Sequence, residues 1–441
     1  MNLEEFSKKR ILVVGDIMLD KHIKGSVSRI SPEAPVPILK VNNESYNPGG
    51  AANLANNLAA LGARVYLSGI VGSDEAQKIL FKELEKKNID FSLVMIGQKP
   101  TIQKIRGMEH QHLFRIDYED ASDISQEEEK QILERIKDKI QKVDAIILSD
   151  YNKGTLTKNL VQEIIGLAKE DNKIITADCK PINMEFYKNV DVLKPNKKEA
   201  IEMTLARNVK EAGKKLIEKL NSNIIITQGS EGCTLFEKEK SPFHIPTSHK
   251  EFYDVSGAGD TFMAALTLAM ISNFDLRKAT QIANQAASLV VLKPGVALVT
   301  REELQKSFQS EIKIVPKAWG QEEWIVNNAK YCGKKMLIKT DFYCSYHMHK
   351  IKEETFYVEE GELEVIHNGE YKKIGKSQAL HINPGGYHSF RATKDTIFFE
   401  FATQHTDEDN YRMTTSSQGD HEKWKREIEE AIKNEQSSLS R

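Results

Sequence analysis

The chain is poor in cysteine. Its 441 residues contain four, Cys179, Cys233, Cys332 and Cys344, far apart and with no C-x-x-C pair. That spacing excludes a disulfide framework and a zinc ribbon, and predicts reduced thiols in a cytoplasmic protein. No apolar run approaches the ~18 residues a bilayer span needs, so no membrane partner is expected. The opening Met1-Asn2-Leu3-Glu4-Glu5 is acidic and lacks the cationic and apolar blocks of a secretory signal. A charge excess is missing as well: 62 Lys+Arg stand against 64 Asp+Glu, a net charge of −2. Nucleic-acid binders carry a strong basic surplus, so no nucleic-acid partner is expected. Tryptophan is scarcest. All three (Trp319, Trp324, Trp424) and seven of the twelve histidines lie beyond residue 318. At ~100–200 residues per domain the length predicts two or three domains, and this skew divides the chain into two unlike parts.

In the first part, residues 11–16 form a short apolar run ending in Gly-Asp, the pattern of a buried strand. Alanine, leucine and asparagine then recur at helical spacing over 51–61, and Gly62 stops them. Strands are predicted at 65–71, 143–149, 173–177 and 223–227, with helices at 74–87, 126–141, 157–170 and 208–220. This alternation predicts an α/β fold, a doubly wound and largely parallel sheet with helices on both faces. Ligands of such folds bind beyond the carboxyl ends of the strands.

The segment 253–263 carries the most chemistry. Ser256, Gly257, Ala258 and Gly259 precede an apolar helix that starts near Asp260. Glycines let the backbone approach a ligand, and the unpaired N–H groups of a first helical turn cradle developing negative charge. An aspartate on that turn can take a proton from an attacking hydroxyl. Three further features follow the same logic: Gly49-Gly50 entering a helix with Asn53 one turn in, Asn196-x-x-Glu199 after a strand, and Thr227-x-Gly229-x-x-Gly232. An amide and a carboxylate three residues apart share a helix face and can hold a hydrated Mg²⁺. Taken singly, turns and helix caps explain each feature about as well.

Together, and in this order, they resemble the ribokinase-like (pfkB-type) carbohydrate kinases over roughly residues 8–305. The resemblance implies that Asp260 is the catalytic base and that Gly257, Ala258 and Gly259 form the anion hole. It implies ATP and Mg²⁺ as cofactors, held by Asn196, Glu199, Thr227, Gly229, Gly232 and Asn284. Longer strings are similar to the kinases of bacterial ADP-heptose synthesis: Val14 to Asp20, Ser28 to Pro37, Asp150 to Gly154 and Ala283 to Ala287. That likeness implies D-glycero-β-D-manno-heptose 7-phosphate as substrate, phosphorylated at its anomeric hydroxyl. Asp16, Asp20, Gly49, Gly50 and Asn53 are the candidate sugar contacts. Lys104, Arg106 and Arg115 are candidates for the substrate phosphate, although solvated charges on a hairpin explain any one of them equally well. Lys180, just after a strand, is placed at the mouth of the site. Residues 12–45 are expected to form a hairpin lid, which in this family often pairs across a homodimer. Bifunctional heptose enzymes continue into a nucleotidyltransferase with an H-x-G-H signature, and no such string occurs here.

The boundary is placed at 309/310, giving a kinase domain of 1–309 and a second domain of 310–441. Short alternating runs at 335–340, 355–358, 363–367 and 397–401, with an Asn368-Gly369 hairpin signal, predict a small all-β barrel. His347 and His349 fall on one face of a strand, Glu354 follows, and Pro384-Gly385 leads to His388. This resembles the two motifs of the cupin (jelly-roll) family, which implies one divalent metal bound by His347, His349, Glu354 and His388. Mn, Fe, Ni and Zn all suit such ligands, and a cupin with an empty site is the competing reading. Glu353 is an adjacent alternative ligand, and His367 and His381 read as ordinary barrel positions. The stretches Lys317 to Trp324, with Glu322 inside it, and His405 to Arg412 are similar to sugar-isomerase cupins, implying isomerisation or epimerisation of a related sugar; simple binding or sensing competes. A charged helix over 420–434 is expected to pack Trp424 on the barrel.

The leading reading is thus a heptose-phosphate kinase fused to a metal-binding cupin. The alternative is a kinase for another sugar or nucleoside with a cupin that only binds sugar; a non-enzymatic sugar sensor ranks last.

Overall fold

A computed structural model describes residues 2–109, 111–247, 257–293, 297–308 and 312–439, with 435–439 described by backbone alone. The chain divides into two compact units, Met1–Phe308 and Gln309–Arg441. The predicted junction at 309/310 lies outside the described residues, as does Ser256. Among the described residues no helix is long and apolar enough to cross a membrane.

The first unit is built on a nine-stranded sheet. Its spatial order is Phe243–Ile245, Cys233–Phe236, Asn223–Thr227, Val192–Leu193, Ile174–Asp178, Ala145–Ser149, Arg10–Gly15, Arg64–Val71 and Asp90–Ile96. All pairings are parallel except the two that attach the first two strands. The run at 11–14 is apolar at every position because helices cover both faces. Ile11 and Val13 join one core, whereas Leu12 and Val14 join the other. Helix Gln126–Ile140 shows the local logic. A Ser125–Glu128 capping box satisfies its first N–H groups, and Ile132, Ile136 and Ile140 lie buried along one stripe. Each such burial stabilises by roughly 1.5–3 kcal/mol. Helix Ala258–Met270 instead is buried all round from Asp260 to Ala269, packed between Ala51–Ala60 and Leu276–Val290.

The lid differs from the expected 12–45 hairpin. Residues up to Gly15 belong to the main sheet, and the hairpin is Ile17–Ile30 with Pro37–Gly50. Strand Ile102–Met108 joins it in parallel, and His112–Tyr118 follows antiparallel, making a four-stranded sheet. Strands Ile102–Met108 and His112–Tyr118 thus form the other half of the lid.

The second unit is two facing sheets. One, of six strands, runs Lys313–Lys317, Gly320–Asn327, Cys332–Ile338, Thr396–Ala402, Glu354–Glu360 and Ala379–Ile382. The other, of seven strands, runs Glu370–Gly375, Glu362–His367, His388–Ala392, Phe342–Tyr343 and Ser417–Gln418, with His347–Met348 paired to His388–Ala392 and to Tyr411–Arg412 beside it. They enclose Trp319, Phe356, Phe390 and Phe398. Asn368 and Gly369 join two strands with φ of 51° and 83°, the backbone a two-residue hairpin of this twist requires. Helix His421–Leu439 buries Trp424 against Tyr343, and the indole N–H donates to Ser389 Oγ at 2.9 Å.

Candidate active site and metal centre

Gly257, at φ 80°, opens helix Ala258–Met270, and among the described residues no side chain caps its first-turn N–H groups. Asp260 sits in that turn. Its Oδ2 accepts from Asn53 Nδ2 at 2.6 Å and its Oδ1 from the Tyr151 hydroxyl at 3.1 Å. Burial nevertheless pushes its carboxyl up to about 6, close to the working range of a general base. Gly50 brings Asn53 into place: a Cβ there would lie 2.3 Å from the Asp16 carbonyl oxygen, and its φ of 57° is open to glycine.

Two cavities meet at this aspartate. One, of 650 Å³, is lined by Lys194, Asn196, Glu199, Thr227, Gly229 and Asn284 among others. The second, of 320 Å³, is lined by Asp20, His22, Asn53, Lys104 and Arg106 among others. Tyr151, Gly257 and Asp260 line both.

In the larger cavity Asn196 and Glu199 form a reciprocal helix cap, with bonds of 2.9 and 3.0 Å. Burial opposes ionisation of Glu199, but the Asn196 N–H and Lys180 outweigh it and hold the carboxyl below its usual range. An ionised carboxylate beside an amide on the wall of this cavity fits a hydrated Mg²⁺. Ala258, Gly259 and Gly232 also line the cavity, and Asn284 Nδ2 donates to the Pro246 carbonyl at 3.0 Å.

Three candidate sugar contacts fall elsewhere. Asp16 lines neither cavity: its oxygens accept the N–H groups of Tyr151, Lys153 and Thr155 at 2.8–3.1 Å, fixing that loop. Lys180 lines the larger cavity, not the sugar side, because it pairs with Glu199 at 2.7 Å. Gly49 lies in the lid, paired with Met18 and hard against Asp20. Asp20 and Arg106 form an ion pair, and burial pushes the Lys104 ammonium down. Arg115 pairs with Asp117 at 2.7 Å, outside the cavity. Sequence reasoning missed Tyr151 and the buried Lys194, which pairs with Asp178 at 2.7 Å. The available signal was a lysine closing an apolar strand, Val192-Leu193-Lys194.

In the second unit His347, His349 and His388 place their ligand nitrogens within 4.8 Å of one another. Each Nδ1 faces a backbone carbonyl: Ser345 at 2.7 Å, Gly386 at 3.0 Å, and Asp409 for His349. A carbonyl only accepts, so each Nδ1 carries the hydrogen and each Nε2 keeps a bare lone pair. Burial pushes His347 well below the usual imidazole range, helped by His388, and lowers His349 likewise, helped by Lys352. Glu354 Oε1 lies 2.8 Å from His388 Nε2 and 3.9 Å from His349 Nε2. It is buried without meeting hydrogen-bond geometry to any described residue. An orphaned carboxylate oxygen beside three lone pairs fits a divalent transition metal. Glu353 is exposed and pairs with His381 at 3.2 Å. The 430 Å³ cavity around these ligands also holds Glu322, which belongs to the stretch similar to sugar-isomerase cupins, and Lys334, Lys352 and Glu400, none of which sequence reasoning picked out. Period-2 alternation was the available signal, since Glu400 shares the inward face of its strand with Phe398.

A doubly wound sheet, a helix presenting a buried aspartate and two cavities meeting there define a ribokinase-like sugar kinase fold. The model of the pfkB family of carbohydrate kinases matches residues 8–303, and the chain belongs to that family. A cupin domain model matches residues 336–400. Among curated relatives, the Bifunctional protein HldE of Psychromonas ingrahamii is 37% identical over 348 residues, covering 77% of this chain and 72% of that protein. That of Proteus mirabilis is 39% identical over 316 residues, covering 70% and 66%. Among solved structures, Arabidopsis thaliana ribokinase complexed with ribose and ATP superposes with a TM-score of 0.54 at 19% identity, over 68% of this chain and 98% of that one. Escherichia coli phosphofructokinase-2 in complex with substrates and products gives 0.57 at 17%, over 68% and 97%.

Proposed function

We propose that the chain transfers the γ-phosphoryl group of ATP to the anomeric hydroxyl of D-glycero-β-D-manno-heptose 7-phosphate. The observation that carries this reading is the meeting of the two cavities at Asp260. Ionised above about pH 6, Asp260 accepts the proton of the attacking hydroxyl. The N–H groups at the start of helix Ala258–Met270 face the charge that gathers on the transferred group, with Lys194 beside Gly259. Mg²⁺, held through Asn196 and Glu199, would offset phosphate charge. Asp20 and Asn53 take sugar hydroxyls, while Lys104 and Arg106 face the sugar's own phosphate. The choice of a heptose rests on the strings around Asp16, Arg29 and Asp150 noted above. The same reading includes a homodimer through the lid, whose edge strand His112–Tyr118 exposes Phe114, Ile116 and Tyr118.

For the second unit the reading is a cupin that binds one divalent transition metal through His347, His349, Glu354 and His388 and isomerises or epimerises a related sugar. The metal would polarise neighbouring sugar oxygens while a carboxylate moves the proton.

The test is ADP release by the purified full chain. Turnover on the heptose phosphate, absent with Asp260→Asn, supports the reading. A preference for ribose, fructose or adenosine replaces the substrate, and no turnover with any of them restores the sensor.

A further inference from the structure

Four carboxylates line the cavity of the second unit, and one of them, Asp407, is exposed and stands 3.5 Å from His405. Glu354 divides itself between the imidazoles and Lys352. Glu322 is taken by the Trp324 indole N–H at 2.7 Å and by Lys317 at 3.2 Å. Glu400 remains. It is 4% exposed, lies on strand Thr396–Ala402 and faces the same cavity as the three histidines.

Lys352 bridges Glu354 and Glu400, and Lys334 stands 3.4 Å from Glu400 and 3.9 Å from Glu322. His405 Nδ1 sits 3.3 Å from Lys334. Both lysines approach Glu400 most closely at one oxygen, Oε1, so the other is not used up by them. Buried ionic groups are costly, and a paired cluster of them around an open cavity marks a place where charge is used.

We infer that Glu400 is the general base of the cupin, acting on the carbon beside the carbonyl of an aldose or ketose phosphate. The C–H bond breaks toward Glu400, and its electron pair forms the C=C bond of an enediol as the carbonyl oxygen takes a proton from water. Glu400 then returns its proton to the neighbouring carbon. The hydroxyl on the first carbon gives a proton back to water and becomes the new carbonyl. Protons and electrons balance, and no oxidant or reductant is needed. Lys334 and Lys352 are positioning residues that hold the base ionised and in place. This assignment rests on the isomerase reading of the cupin.

The experiment uses the full chain loaded with Mn²⁺ or Zn²⁺. Wild type, Glu400→Gln and Glu400→Asp are incubated in D₂O with mannose 6-phosphate, fructose 6-phosphate and sedoheptulose 7-phosphate. Deuterium uptake is read by mass spectrometry and bound metal by elemental analysis. Wild type gains deuterium; Glu400→Gln loses ~10²–10⁴-fold in that rate with its metal content unchanged, and Glu400→Asp keeps part of it. Exchange by Glu400→Gln at the wild-type rate, or loss of its metal together with its exchange, overturns the assignment. Wild type that exchanges none of the three sugars overturns the isomerase reading and the base with it.

Discussion

Asn53 Nδ2 and Asp260 Oδ2 lie 2.6 Å apart, although 207 residues separate them in the chain. Each sits in the first turn of a helix entered through a glycine of positive φ, Gly50 and Gly257. The bond joins the two glycine entries into one site, and it favours the ionised form of a carboxyl that burial disfavours.

Removing that donor has a defined sign. In Asn53→Leu the Asp260 pKa rises further above about 6, and the carboxylate is the active form. The acid limb of kcat/KM against pH therefore moves to higher pH, by about one unit. Activity falls more at pH 6.5 than at pH 8.5. An acid limb that stays where it was removes Asp260 from the role of base.

Asp260→Asn abolishes phosphoryl transfer, by ~10³-fold or more, yet stabilises the unit. A carboxyl raised from 3.8 to about 6 binds more protons folded than unfolded between those values. Wild type accordingly loses stability as pH rises through that window, about 3 kcal/mol at most, and is flat above it. Asparagine has no such dependence. Thermal melts show the variant ahead by about 1–2 kcal/mol at pH 8, since its amide matches only one of two donors, and not ahead at pH 3.5.

In His347→Ala/His349→Ala, bound metal measured by elemental analysis drops from about one per chain to near zero, because two of the four donors go. His381→Ala, altered at an exposed imidazole paired with Glu353, keeps it. Equal metal in the double variant and wild type removes the ligand set.

Trp424 is fully buried, with its N–H on Ser389. Trp424→Ala leaves a cavity and costs ~3–5 kcal/mol. Calorimetry shows the melting of the Gln309–Arg441 unit lowered by more than ~10 °C. A shift of a degree or two removes the helix from the core of that unit.

Local pattern carried much of this. The apolar run 11–14 declared a strand covered on both faces, glycine pairs led to Asn53 and Asp260, and histidine spacing led to His347, His349 and His388. What stayed hidden depends on which strands become neighbours. Lys194 and Asp178 close adjacent strands, Val192–Leu193 and Ile174–Asp178, and only sheet order brings them together. Asp16 ends a strand as a sugar contact should, but the loop after the adjacent strand Ala145–Ser149 claims its oxygens. Lys334 and Glu400 face each other across paired strands of the second unit, inside rather than out; alternation puts Glu400 on the face of Phe398 but does not say which strand lies opposite.

The three imidazoles are aimed by main-chain oxygens of residues 345, 386 and 409. Any residue type can furnish a carbonyl, so for these bonds the path of the loops matters and the letters do not. Divergent versions of this unit can rewrite such positions and still coordinate the same ion. Conversely, an insertion that moves one loop by an ångström can change which ion fits while every ligand stays in the sequence.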